Sequence, residues 1–212
     1  VLSRLERPAL GGFDALFRHE AGPFLDRNRL RDVVRIELAG GVFFRKRQHG
    51  IKPRDRVRRW LRGGWLRSHS RDEAIHLWQL ADRGFRVPAP AAVGEAPRGR
   101  SLLLIDELHG VPLDRYLVEG GDPVPAGRAV GRLCARLLEE RIYWPDLDAR
   151  HIFLIPDHEG LDPGILDVQR LAVGRPLSLR QRDKMRYRLV RSLSSHPTGT
   201  AFDEPLRGAF ER

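Results

Sequence analysis

The sequence predicts an α+β fold in two unequal halves, on three observations. Residues 31–48 alternate apolar and polar side chains through DVVRIEL, turn at Ala39-Gly40-Gly41 and resume as VFFRKRQ, the pattern of a β-hairpin. Two later segments, residues 70–83 and 126–142, repeat their apolar positions at helical spacing instead. Between them SLLLIDEL (101–108) is a continuous apolar run of strand length, closed by the turn HGVP. Strands therefore dominate the first half and helices the second, with the boundary near residues 108–112 and halves of 1–108 and 109–212.

Taken in order, FDALFRHE (13–20) fits either a strand or a short helix. The hairpin places Lys46 in its second strand. Residues 53–67 set Val57, Trp60, Leu61 and Trp65 at helical spacing among arginines, a basic amphipathic helix interrupted at Gly63-Gly64. In residues 70–83 the predicted stripe is Ala74, Leu77, Trp78 and Ala81, and Ser70 with Glu73 reads as a capping box. Gly84 ends that helix and VPAP (87–90) imposes an extended connection. The 126–142 helix turns Val130, Leu133, Leu137 and Leu138 inward. HIFLI (151–155), the turn PDHEG and GILDV (164–168) make a second hairpin, with Asp167 at the end of its last strand. Residues 177–193 read as a helix, and the last 17 residues, with Pro197, Gly199 and Pro205, as irregular.

Composition excludes several classes. With 41% apolar and 31% charged residues, the 212-residue chain has the balance of a folded domain rather than of a disordered one. No apolar run nears the roughly 18 residues of a membrane span, and residues 1–10 lack the apolar block of a secretory signal. A single cysteine, Cys134, excludes an internal disulfide and a multi-thiolate metal centre. The expected location is the cytoplasm, or peripheral on the inner face of the cell membrane. Net charge is +10, and it is written almost wholly in arginine: 35 Arg against Lys46, Lys52 and Lys184. Residues 45–71 hold eleven of those cations and one acid, Asp55, which points to an anionic partner.

Three charged residues invite chemistry. Lys46 stands mid-strand in a chain that prefers arginine, and an ammonium suits a phosphate as a point charge. Asp146 lies in WPDLDARHIFL, between a long helix and a strand, and Asp167 ends the apolar run GIL, where a carboxylate can hold Mg²⁺. Singly, each has an ordinary reading, as a solvent-facing strand residue or as turn chemistry. Together they follow the ordered parts of the protein-kinase template for phosphoryl transfer: a strand lysine, a helix glutamate, a linking strand, a helix, an Asp loop, and an Asp after a hairpin.

RIELAGGVFFRKRQ, SRDEAIHLWQLADRGFRVPAP, LLLIDEL, WPDLDARHIFL and ILDVQRL together resemble the lipopolysaccharide core kinase family, which phosphorylates Kdo or heptose sugars. The resemblance spans about residues 13–193, and its most specific part is D-L-x-x-x-H-I-x-L followed by ILDxxRL. It implies a protein-kinase-like two-lobed fold, with a small β-rich N-lobe and a reduced helical C-lobe. It implies ATP and Mg²⁺ as cofactors. Lys46 resembles the phosphate lysine, Glu73 its partner, Asp146 the catalytic base and Asp167 the metal carboxylate. Backbone groups near Glu107 and Leu108 would hold the adenine. His151, five residues after Asp146, fits a hydrogen-bonding or metal-ligating role and equally a packed histidine. The partners implied are an acidic sugar or lipid A–core acceptor, with an anionic membrane surface meeting residues 45–71. Three departures stand out. Trp144-Pro145-Asp146 replaces His-Arg-Asp, Val168-Gln169 replaces Phe-Gly, and no glycine-rich loop is visible. They keep two rivals open, a kinase for another small molecule and a nucleotide-binding pseudokinase. A nucleic-acid-binding module is a further and less favoured reading, since no recognised motif accompanies the basic block.

Overall fold

The structure, a computed structural model, describes residues 12–19, 24–27, 30–38, 41–50, 68–158, 160–196, 198 and 200–211. The basic amphipathic helix expected at 53–67 lies outside them, as do Ala39 and Gly40 of the first turn. The chain divides into two units, residues 1–82 with 88–107, and residues 83–87 with 108–212.

In the first unit, the segment left open between strand and helix forms a helix, α1 (Gly12–Arg18). Strands β1 (Phe24–Arg27), β2 (Arg31–Leu38) and β3 (Gly41–Gln48) precede α2 (His69–Asp82), β4 (Pro90–Ala96) and β5 (Arg100–Asp106). They form one antiparallel sheet in the order β1-β2-β3-β5-β4. The hairpin is in register from Arg31↔Gln48 to Leu38↔Gly41, as its alternation requires. β5 is buried on both faces, which explains its unbroken apolar run. Leu102 packs with Leu16 and Phe17 of α1, and Leu104 packs with Val34, Ile36 and Phe43. On the other face Ser101 Oγ meets Ser70 Oγ of α2 at 2.8 Å.

That contact corrects the capping box expected at Ser70 and Glu73. The hydroxyl is engaged with Ser101 and the carboxylate with Lys46, so neither caps. Ser68 takes the role, its Oγ accepting the Arg71 N–H. The buried stripe of α2 is Ala74, Leu77 and Leu80, whereas Trp78 is 40% exposed and Ala81 faces solvent.

The basic block is partly internal. Arg45 is 1% exposed and donates to the carbonyls of Leu16 and His19, tying α1 to the sheet. Burial, with repulsion from Arg47, lowers its pKa to about 10, still cationic at neutral pH. Arg47 Nε donates to Asp32 Oδ1 at 2.7 Å, and His49 Nε2 lies 2.5 Å from Asp32 Oδ2. Burial alone would raise the Asp32 pKa, but the bonds and charges of Arg47 and His49 outweigh it and hold the carboxyl below its ordinary value. A depressed folded pKa stabilises fully above the unfolded value, about 3.9. That stabilisation is lost as pH falls through the folded pKa. Urea titrations from about pH 5 downward should therefore show a steeper loss of stability in the wild type than in Asp32→Asn.

The second unit follows: β6 (Val111–Pro112), α3 (Leu113–Val118), α4 (Pro123–Glu139), β7 (Ile142–Tyr143), β8 (Ile152–Asp157), β9 (Gly160–Ile165), β10 (Ala172–Val173), α5 (Leu179–Leu193) and α6 (Asp203–Phe210). α4 starts earlier than its apolar period suggests, because Asp122 accepts the Val124 N–H and Pro123 fits the first turn. Val130, Leu133 and Leu137 are buried on it as expected, and Leu138 is half-buried. Cys134 is buried among them, and desolvation pushes its thiol up to about 12, out of nucleophilic range. A capping box forms instead at α5, where Ser178 and Gln181 bond each other's backbone N–H. Contrary to the irregular tail expected, α6 is a helix. It docks on α4 at Gly127 and Gly131, where a Cβ would lie 2.3 Å from the Ala201 carbonyl and 2.6 Å from Pro205 Cβ. Only glycine permits that approach.

Candidate active site

In the first unit the alternation of β3 puts Phe43 and Arg45 on one face and Lys46 on the other, where α2 stands. Lys46 Nζ is ion-paired with Glu73 Oε1, and Glu73 is 5% exposed. The pair forms because Ala74, Leu77 and Leu80 seat the helix and Ser70 pins its start to β5. One carboxylate oxygen orients the ammonium, which keeps donors for a second anion. Beyond β5, the Glu107 N–H donates to the Val42 carbonyl at 3.3 Å and Arg35 Nε lies 3.8 Å from its carboxylate. That amide is therefore engaged within the sheet rather than free for a base. Leu108 is the first residue of its segment in the second unit.

The loop that carries Asp146 in the second unit is built by burial at both ends. Arg141, at φ 56, turns the chain out of α4, and Trp144 and Leu147 are fully buried. Asp148 accepts the Arg150 N–H and caps the turn Ala149–His151. Burial alone would raise the Asp148 pKa, but its bonds from Arg150 hold it below the ordinary value. Between these anchors Asp146 is 7% exposed. Arg170 Nη1 at 3.1 Å and Arg188 Nη1 at 3.2 Å both meet its Oδ1. Sequence reasoning assigned neither arginine a role. Arg170 stood inside the quoted ILDVQRL motif, while Arg188 had no local signal among 35 arginines.

Asp167 is not the end of a strand, as the hairpin pattern suggested. β9 stops at Ile165, and Asp167 sits beyond it at φ 58, a left-handed conformation that Asp tolerates better than most residues. Trp144, in the place of the kinase histidine, holds this turn: its Nε1 donates to the Asp167 carbonyl at 3.4 Å. Gln169 Nε2 donates to Asp167 Oδ1 at 2.9 Å. His151 links both aspartates, with Nδ1 2.9 Å from the Asp146 carbonyl and Nε2 3.7 Å from Asp167 Oδ2. A carbonyl only accepts, so Nδ1 carries the proton, and in the neutral ring Nε2 is an acceptor facing a carboxylate. Two acceptors aimed at one another suit a shared cation. Among the described residues no cluster of three or more His, Cys, Asp or Glu could cage a metal. Mg²⁺ needs no such cage, since it keeps waters and takes one or two carboxylates plus substrate phosphates. The residues present fit it.

The strand ammonium paired with a buried helix carboxylate lies in the first unit, and the loop and post-hairpin aspartates lie in the second; in chain order these are the parts of the kinase template for phosphoryl transfer. The lipopolysaccharide kinase (Kdo/WaaP) family model matches residues 27–203, and the chain belongs to that family. Its fold is similar to that of WaaP in complex with acyl carrier protein, at TM-score 0.70 and 19% identity over 94% of this chain and 82% of that one. It is also similar to a crystal structure of WbdD, at TM-score 0.54 and 16% identity over 93% of this chain and 46% of that one. The protein is thus a kinase acting in lipopolysaccharide biosynthesis. Among the described residues no helix is long and apolar enough to cross a membrane.

Proposed function

We propose that the protein transfers the γ-phosphoryl group of ATP to a Kdo or heptose hydroxyl of the lipopolysaccharide core, at the inner face of the membrane. The observation that carries this reading is the paired constellation around Asp146. Two guanidiniums share one carboxylate oxygen, and the other oxygen is left to receive a proton. Lys46, oriented by Glu73, neutralises the α- and β-phosphates. Asp146 Oδ2 accepts the acceptor's hydroxyl proton and aims its oxygen in line, while Trp144 and His151 hold the two aspartate loops in register. A Mg²⁺ held by Asp167, with His151 Nε2 beside it, would supply charge neutralisation at the β- and γ-phosphates. Leu108, rather than the engaged Glu107 amide, is the backbone position offered to the adenine.

The test is a thermal-shift titration with ATP, with and without Mg²⁺, followed by phosphotransfer to Kdo- and heptose-bearing lipid A. Ligand binding to the native state raises the melting temperature by mass action. A Mg²⁺-dependent shift lost in Asp167→Asn, with ADP released only when acceptor is present, is the expected result. A shift without acceptor-dependent turnover would convert the reading to a pseudokinase.

A further inference from the structure

α5 carries a row of cations, of which only Arg188 meets the candidate base. Lys184, Arg188 and Arg191 stand at i, i+4 and i+7, on one helix face. With Tyr187 they line one side of a pocket of ≈ 690 Å³, whose other side is Asp148 and Arg150 of the catalytic-loop turn. The helix is pinned there by Ser192, whose Oγ accepts the Ala149 N–H at 3.0 Å.

The pocket's charges are unequally engaged. Arg150 pairs with Asp148 at 3.1 Å, and Arg188 reaches out of the pocket to Asp146 Oδ1 at 3.2 Å. Lys184 and Arg191 have no carboxylate within ion-pairing distance among the described residues, and the remaining acid of the lining, Asp114, already accepts the Arg115 N–H. His196 Nδ1, also in the lining, is buried without a hydrogen-bond partner among the described residues. Tyr187 is 65% exposed, a flat apolar surface beside two free cations. Lysine at 184 is itself unusual in a chain that uses arginine at nearly every other cationic position.

We propose that this pocket binds an anionic group, carboxylate or phosphate, on the sugar acceptor, with Lys184 and Arg191 reading its charge and Tyr187 stacking on the sugar ring. The inference rests on the kinase reading, because Arg188 places the pocket one guanidinium from the candidate base. It assigns acceptor recognition to α5; of the basic block, residues 51–67 lie outside the described residues. In that block Arg45, Lys46, Arg47 and Arg71 are engaged with Leu16 and His19, Glu73, Asp32 and Glu95.

Calorimetric titration of the full chain with free Kdo, a carboxylate sugar, tests it without nucleotide. Lys184→Gln/Arg191→Gln, both at exposed positions, is expected to weaken Kdo about tenfold or more, the loss of two charge-assisted contacts. Inorganic phosphate should compete with Kdo in the wild type, and methyl mannoside, which lacks charge, should not. The Mg-ATP thermal shift of the same variant reads the kinase site separately, so failure of that site is not mistaken for failure of the pocket. Equal Kdo affinity in wild type and variant would overturn the proposal. So would a variant that keeps Kdo but loses phosphatidylglycerol vesicles, since the cations would then serve a lipid headgroup.

Discussion

Asp146→Asn is expected to lower kcat by about 10²–10⁴-fold, the usual worth of a general base placed on its proton. The amide keeps the size of the carboxylate and loses the capacity to take a proton. Folding should survive, because the two guanidiniums released are 59% and 38% exposed at their side chains and rehydrate cheaply. ATP affinity should survive as well, since nothing in this loop is assigned to the adenine or to the phosphates. Single-turnover phosphotransfer beside an ATP thermal shift separates the two. A variant with wild-type turnover would remove Asp146 from the chemistry.

Lys46→Met should abolish measurable phosphotransfer and also destabilise the protein, by roughly 3–5 kcal/mol as for other broken buried pairs. The reason is Glu73, 6% exposed at its side chain, which the substitution leaves charged and unpaired beneath the sheet. Lys46→Met/Glu73→Leu removes both charges and refills the space. It should regain much of the lost stability, because a buried ion pair replaced by apolar groups is often neutral or better. It should regain no activity. Chemical denaturation of the three proteins beside the transfer assay is the measurement. Recovery of activity in the double variant would show that the pair serves only packing.

Much of this architecture was legible before any coordinates. The period-2 run through residues 31–48 specified a hairpin and its register, because a one-residue slip would bury the arginine and glutamate side chains that face solvent. The run at 101–108 specified a strand, and the structure covers that strand on both faces. Lys46, Glu73, Asp146 and Asp167 were singled out as a set by their order along the chain, and the family match bears out the fold and the class of enzyme. Their individual roles rest on the geometry described and on the experiments above.

Other features had no local signal. Ser70 and Glu73 have the spacing of a capping box, yet distant partners, Ser101 and Lys46, bind their side chains more usefully than the helix's own first turn can. The tail helix, Asp203–Phe210, is short and carries Pro205 and Gly208, so propensity alone does not hold it. It exists because Gly127 and Gly131 open a seat on α4. Arg188 is one arginine among 35 until folding sets it against Asp146. Periodicity and chain order are properties of neighbours along the sequence, and they were enough for most of the elements and for the class of chemistry. Which oxygen of Asp146 is held, what restrains Asp167, and where an acidic sugar would rest depend on groups far apart in the chain, which only packing brings within hydrogen-bonding distance.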